Sequence, residues 1–330
     1  MFTYIVRRIM VMIPTLLAIS AISFIIIQLP PGDFLSTSLM EQEARGLDPG
    51  VIQQKREQFG LDKPMWHQYL IWLGNSLRGD FGYSFEYELP VTEVVGDRMW
   101  LTIIVTFATT LFIWVVSFPI GIYSATNQYS VGDYSLTFIG FLGLATPNFL
   151  LALVLLYFAN VTFGTSIGGL MDPEYLEQPM SWGKFLSVLE HLWVPVIVIG
   201  TSGTAAMIRR LRANLLDELQ KQYYVTAIAK GLPRRKALLK YPLRMAINPF
   251  IADIGNLLPQ LISGATIVSV VLNLPTTGPL LLGALQSQDM YLAGSFVFWL
   301  AGLTVVGVLL SDLALAALDP RIRLSGGAVK

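Results

Sequence analysis

Gly164-Thr165-Ser166-Ile167-Gly168 has the G-x-S-x-G form that serine hydrolases use to present a nucleophile. That chemistry needs a sharp strand-to-helix turn and a base beside the serine. Here the motif follows an apolar helical stretch and runs into "GGLMDPEYLEQP", and the one candidate base nearby is His191 at the start of the next helical stretch. The arrangement reads as a Gly/Ser turn leaving a membrane, and no catalytic residue is assigned. The chain has no cysteine, which removes disulfides, thiolate metal sites and cysteine nucleophiles. Two histidines, His67 and His191, leave little for a histidine metal cluster, so no metal site is expected. No Walker A sequence occurs, and no G-x-G-x-x-G opens a helix. Nucleotide energy, if it is used, must be bound by another chain.

Polar residues inside apolar stretches are the next candidates, because ionisable groups in hydrocarbon are costly and often functional. Asp253, Asn256 and Gln260 recur at i, i+3 and i+7, one face of a helix, and Ser263 and Gly264 continue the stripe. The stripe can line a polar path for a solute. It can equally hydrogen-bond a neighbouring helix, with Asp253 favoured by the dipole of the first turn. Asp312, late in the last apolar stretch, reads as a structural partner for a basic residue. A chain of intramembrane carboxylates of the kind ion-coupled carriers use is missing. An ion-coupled secondary carrier is still the rival function class, and an intramembrane serine protease acting through Ser166 a weaker one.

The densest charge lies in "YYVTAIAKGLPRRKALLKYPLRMAINP", Tyr223 to Pro249, which holds Lys230, Arg234, Arg235, Lys236, Lys240 and Arg244 and no acid. It reads as two short helices, one ending at Gly231 and the other starting at Pro233, where a missing N–H costs nothing. DNA binding would need a recognition helix offered to a major groove, and the short tethers to apolar stretches on both sides prevent that. Part of the charge serves topology and headgroup contact. Topology does not explain Ala227 and Ala229 beside Gly231, small residues that let another surface approach. A short basic helix outside the bilayer suits a groove on a soluble partner.

The elements that must carry these residues follow from composition. Of 330 residues, 54% are hydrophobic and 13% charged, with a mean hydropathy of +0.59. Soluble domains average about 25% charged, so the chain is read as an integral membrane protein. Six spans are expected, about 9–29, 100–124, 134–160, 192–211, 250–272 and 292–318, each near the ~20 residues that cross the hydrocarbon. The first is longer than a signal-peptide core and lacks a small-x-small cleavage pattern, so it is kept as an anchor. Pro119, Pro147, Pro195 and Pro259 would kink their spans. Ten of the 22 Lys and Arg fall between Arg209 and Arg244, and with Arg7, Arg8, Arg321, Arg323 and Lys330 they place both termini and that segment in the cytoplasm. The 124–133 turn carries no Lys or Arg and does not vote. On the other side lie residues 161–190 and a long loop, 30–98, with eleven acids and the amphipathic "WHQYLIWLGNSL", whose Trp66, Tyr69 and Trp72 suit a helix at the interface. The chain is expected to be a single transmembrane domain, with 30–98 an outer cap that contacts a binding protein through its acids and 212–248 a cytoplasmic loop.

The basic segment resembles the coupling loop of ABC importer permeases, the EAA loop, and more closely that of the peptide/nickel importer permease family, whose usual pattern is D-Y-V-x-x-A-x-A-K-G-L, a basic helix, then L-R-N-A-x-x-P. Ala227, Ala229, Lys230, Gly231, Leu232, Arg235, Leu238, Leu239, Leu243, Arg244, Ala246 and Pro249 match. The similarity runs over the whole chain: "YIVRRIMVMIPTLLAIS", "LPPGD", "FGLDKPMWHQYLIWLGNSLRGDFGYSF", "LATPNF", "TTGPLLLGAL" and "LDPRIR" are similar to the first, B-type member of the two paired permeases. Val225 and Ile228 stand where the family usually has arginine, Thr276-Thr277 where tryptophan-proline is common, and Met245 for asparagine. These departures bear on substrate and not on family.

The resemblance implies an all-α type I importer permease with six transmembrane helices, a cytoplasmic coupling helix and a long outer loop, in the inner membrane of a bacterium. It implies a homologous second permease that completes the path, two cytoplasmic ATPase subunits or domains that carry ATP and Mg, and an extracytoplasmic solute-binding protein. This chain itself would bind no cofactor and no nucleic acid. Tyr223, Tyr224, Thr226, Ala227, Ala229, Lys230, Gly231, Leu232 and Arg235 would form the ATPase-docking surface. Asp253, Asn256, Gln260 and Ser263 are the path candidates. The cargo would be a dipeptide, a longer peptide, an opine, an oligosaccharide or a nickel chelate.

Overall fold

The computed structural model describes residues 2–28, 63–84, 86–163, 168–175, 178, 181–253 and 265–318. Its helices are α1 (Phe2–Gln28), α2 (Met65–Ser76), α3 (Val91–Thr126), α4 (Val131–Ala145), α5 (Asn148–Phe163), α6 (Trp182–Leu219), α7 (Gln222–Ala229), α8 (Arg234–Lys240), α9 (Pro242–Ala252), α10 (Thr277–Gln286) and α11 (Met290–Leu318). Residues 265–271 are helical as well. A two-residue antiparallel pair, β1 (Tyr83–Ser84) with β2 (Leu89–Pro90), precedes α3.

Among the described residues, α1, α3, α6 and α11 are each long and apolar enough to cross a membrane, and α4 with α5 supplies a further, broken span. The span expected at 134–160, kinked at Pro147, is two helices bent by 98° at that proline. The cause is local. Pro147 disfavours helical backbone in the residue before it, and Thr146 sits at φ −82°, ψ 120°. Its N–H and hydroxyl both return to the Leu142 carbonyl, at 3.0 and 2.8 Å, which closes α4. The Pro147 carbonyl then accepts the N–H groups of Leu150 and Leu151, which opens α5. Pro119 and Pro195 lie inside α3 and α6 without ending them. The expected start of the fifth span at 250 is corrected: Phe250–Ala252 are the last turn of α9. Residues 254–264 lie outside the described residues, as do residues 30–62 of the expected outer loop.

The chain forms two compact units. One contains α1, α2, the β pair, the start of α3, α10 and most of α11. Its core is Val91, Val95, Leu280, Ala284, Leu292 and Ala293, with Phe81, Tyr87 and Trp299 packed on it. Asp289, fully buried, accepts the Ser84 hydroxyl at 2.6 Å, the Glu86 N–H at 3.3 Å and the Leu292 N–H at 3.1 Å, so one carboxylate pins the β pair to the start of α11. Tyr69 of α2 shares a 2.8 Å hydrogen bond with Ser20 of α1, while Trp72 packs edge-on against Phe298.

The other unit is organised by α6. Its Met207, Leu211 and Leu215 recur at helical spacing and pack with Ile113 and Ala125 of α3 and with Leu243, Ala246 and Phe250 of α9. A side chain at Gly121 would come within 2.9 Å of Leu211, and one at Gly200 within 2.6 Å of Phe112, so glycine lets α3 and α6 approach at two levels. α6 begins at a Ser181 cap that accepts the Lys184 N–H at 3.2 Å, and it runs on to Leu219, beyond the expected 192–211.

Candidate functional site: the basic helical segment

α6 passes into α7 through Gln220 and Lys221 alone. None of the eight residues of α7 is buried, and Tyr223 and Val225 are among the exposed large side chains. A helix this short is marginal by itself in water, so its ends must hold it. At the start, the Tyr223 hydroxyl donates to the Glu218 carboxylate in the last turn of α6, and its ring lies 6.4 Å from that of Tyr241. Partial desolvation of its hydroxyl against the end of α6, with the Glu218 carboxylate that it donates to, holds the Tyr223 phenol protonated well above the usual tyrosine range although the residue as a whole is exposed. At the end, Lys230 caps the helix, Gly231 takes φ +87°, its N–H returns to the Ile228 carbonyl at 2.9 Å, and the Leu232 N–H returns to the Ala227 carbonyl at 3.1 Å. These two bonds make a Schellman motif, with glycine at the left-handed position. A side chain at Gly231 would meet nothing within 4 Å, so only the backbone conformation asks for glycine there.

Pro233 is the residue before α8 and not its first helical position, at φ −56°, ψ 137°, and its carbonyl accepts the Ala237 N–H at 2.9 Å. The two expected helices are three, because Pro242 opens a new one at α9 after Tyr241. In α8 only Ala237 is buried, and Lys230, Arg234, Arg235, Lys236 and Lys240 are exposed. α7 and the start of α8 therefore present a basic, small-residue surface with Ala229, Lys230 and Thr226 on it, while Ala227, Tyr224 and Leu232 are half-buried.

The mounting of this surface is rigid at its far end. α9 lays Leu243, Ala246 and Phe250, at i, i+3 and i+7, against α6. The Arg210 guanidinium lies 4.5 Å over the Phe250 ring, and it pairs with Asp253 at 2.6 Å. Asp253, a path candidate, is thus the cap of α9, and it is held to α6. Asn256, Gln260 and Ser263 lie outside the described residues, as does Ser166. His191, the base considered for that serine, has Nδ1 2.8 Å from the Ser187 carbonyl and Nε2 3.8 Å from Asp172. Among the described residues, no three His, Cys, Asp or Glu side chains come together as metal ligands would.

The model of the binding-protein-dependent transport system inner membrane component matches residues 117–324, and that of the N-terminal part of such membrane components matches residues 1–106. The chain belongs to this family. It is an importer permease subunit of the ABC class, a multi-pass inner-membrane protein and not an enzyme; ATP hydrolysis resides on separate subunits. The permease is 35% identical over 327 residues to the oligopeptide transport system permease protein AppB of Bacillus subtilis, covering 98% of this chain and 99% of that one. It is 30% identical over 339 residues to the dipeptide transport system permease protein DppB of Escherichia coli K12, covering 98% and 99%. It is 32% identical over 360 residues to the peptidoglycan transport system permease protein YejB of Agrobacterium fabrum, covering 98% of each. The resemblance in the sequence is thereby family membership, and the carrier and protease alternatives are not favoured.

One cluster in the permease escaped the sequence reading. Arg212 of α6 makes a two-pronged pair with Asp133 of α4, Nε to Oδ1 at 3.0 Å and Nη2 to Oδ2 at 2.8 Å. Asp133 is 2% exposed, and it also accepts the Tyr129 N–H at 3.0 Å. Its own N–H donates to Ser130 at 3.1 Å, which caps α4. Ser130-x-x-Asp133 is a capping pattern visible in the sequence; nothing in the sequence pointed from it to Arg212.

Proposed function

We propose that this permease carries peptides, or solutes of similar size, through a path shared with a homologous second permease. Cytoplasmic ATPase subunits drive it through α7 and the start of α8, and an extracytoplasmic binding protein delivers the cargo. Both termini and the segment α7–α9 are cytoplasmic in this reading, as the distribution of Lys and Arg favours. The peptide cargo rests on the relatives named for oligopeptide, dipeptide and peptidoglycan transport. The observation that carries the docking reading is α7 itself. It is an exposed helix of eight residues with no buried side chain, stopped by a glycine turn and joined to the long helix α6 by two residues. A folded chain gains little by exposing such a helix unless another surface covers it. ATP-driven closure of the ATPases would move α7, and the spans would alternate between outward and inward access. This requires differential contact of α7 with the two ATPase states.

The test is Ala227→Trp and Gly231→Asp in the reconstituted complex with its partner permease, ATPases and binding protein. Both variants are expected to insert normally and to lose transport and binding-protein-stimulated ATP hydrolysis. Full stimulated hydrolysis in both would end the docking reading.

A further inference from the structure

The Asp133–Arg212 pair lies off the docking surface, and the docking reading gives it no task. Arg210 and Arg212 are two residues apart on α6, so they leave the helix about 200° apart. They hold different neighbours. Arg210 holds α9 through Asp253 and Phe250. Arg212 holds α4 through Asp133. The cytoplasmic end of α6 therefore carries the docking segment on one side and the broken span on the other. The pair is built and not incidental: a fork-to-fork guanidinium and carboxylate, with the acid buried, the Tyr129 N–H bonded to the same carboxylate, and the Thr137 hydroxyl 3.5 Å from it. Gly132, beside that acid, faces the Tyr123 hydroxyl, which a side chain there would displace.

We propose that Asp133 and Arg212 are positioning residues for transport, forming a pin that passes movement of α7 through α6 to the α4–α5 pair. The inference rests on the docking reading above. Arg212 is seven residues before the end of α6, about 10 Å along the axis. A displacement delivered at α7 reaches the pin through rigid helix, and the fork fixes orientation as well as distance. α4 then moves as a body up to the break at Thr146-Pro147, where the chain can flex. Without the pin, α6 and α9 still move with the ATPase, but α4 is held to α6 by packing alone, as where Gly140 meets Ala205 and Gly143 meets Thr201, and follows it less faithfully.

The experiment measures transport per ATP hydrolysed in the reconstituted complex for Asp133→Asn, Arg212→Gln, the double variant and Arg212→Lys. Each single variant is expected to assemble, to keep binding-protein-stimulated hydrolysis, and to lower transport per ATP by ~10-fold. The double variant should be no worse than the singles, since one pair is broken once. Arg212→Lys, which keeps the charge without the fork, should fall between. A wild-type ratio in Arg212→Gln overturns the pin, as does transport and hydrolysis falling in proportion, which is what a fold or docking defect gives. If Asp133→Asn does not assemble, the two Arg212 variants decide by the same ratio. Ala227→Trp run in parallel separates the readings: if it behaves as wild type, docking at α7 has failed; if it is defective while Arg212→Gln keeps the wild-type ratio, only the pin has failed.

Discussion

Gly231 shows how a single residue can be required for conformation alone. Its φ of +87° is one that side-chain-bearing residues adopt at a cost of about 1–2 kcal/mol. The space around it is open, so the cost of substitution does not depend on size. Asparagine tolerates the left-handed region better than alanine, and valine tolerates it least. Stimulated ATP hydrolysis is therefore expected to fall in the order Gly, Asn, Ala, Val at position 231, and equal rates for all four would mean that the turn does not set the position of α7. Gly231 was legible in the sequence because a lone glycine between a small-residue stretch and a proline is a local signal. Asp133 and Arg212 were not, since their pairing joins residues 79 apart and depends on how α4 packs against α6. Asp289 is a third case. Its burial and the donors that it accepts from, among them the Ser84 hydroxyl and the N–H groups of Glu86 and Leu292, follow from tertiary structure. Asp289→Asn keeps the shape but turns an amide N–H₂ toward donors, which is expected to destabilise the permease by about 1–3 kcal/mol. Thermal unfolding in detergent measures this, and an unchanged midpoint would remove the pinning role.

The elements show the same division. Composition located α1, α3, α6 and α11 because the bilayer imposes length, and length is visible in sequence. It missed where helices end when a neighbour decides. α6 runs past its apolar stretch because Leu211 and Leu215 continue to bury against α3 and α9. α4 and α5 separate because Pro147 acts on Thr146, a local effect readable in principle, although Pro119 and Pro195 leave their helices whole. Of the stretch 30–98, expected as an outer loop, the described portion is folded: α2 docks on α1 through Tyr69 and Ser20, and a carboxylate anchors the β pair. Of the aromatic residues expected at the interface, Trp66 stands 64% exposed on α2, whereas Trp72 is buried. Shortening the acidic part of 30–98 is expected to abolish transport and stimulation by the binding protein while basal ATP hydrolysis persists. Unchanged transport at limiting binding protein would leave the loop as a solvated connector.

At the scale of the whole molecule, the proposed function asks the permease to offer polar groups to water and apolar ones to lipid. The apolar half is plain on α4 and α5, where Phe138, Ile139, Leu153, Val154 and Tyr157 are all exposed. The polar half is expected in the stripe from Asp253 through Asn256 and Gln260 to Ser263. Asp253 is engaged with Arg210, so the first member of the stripe already serves helix packing. This sharpens the question for the other three. If they only pack helices, their neighbours exclude water in every state. If they line the path, water reaches them in at least one access state, and the change of state alters how fast. The chain has no cysteine, so single cysteines at 256, 260 and 263 can be introduced without removing any. In the assembled complex they are expected to react with a membrane-impermeant thiol reagent, at rates that differ between nucleotide-free and ATP-bound complexes, while a cysteine at 139 on the apolar face stays slow in both. Uniformly slow reaction at 256, 260 and 263 would assign the whole stripe to helix packing and move the path to other residues.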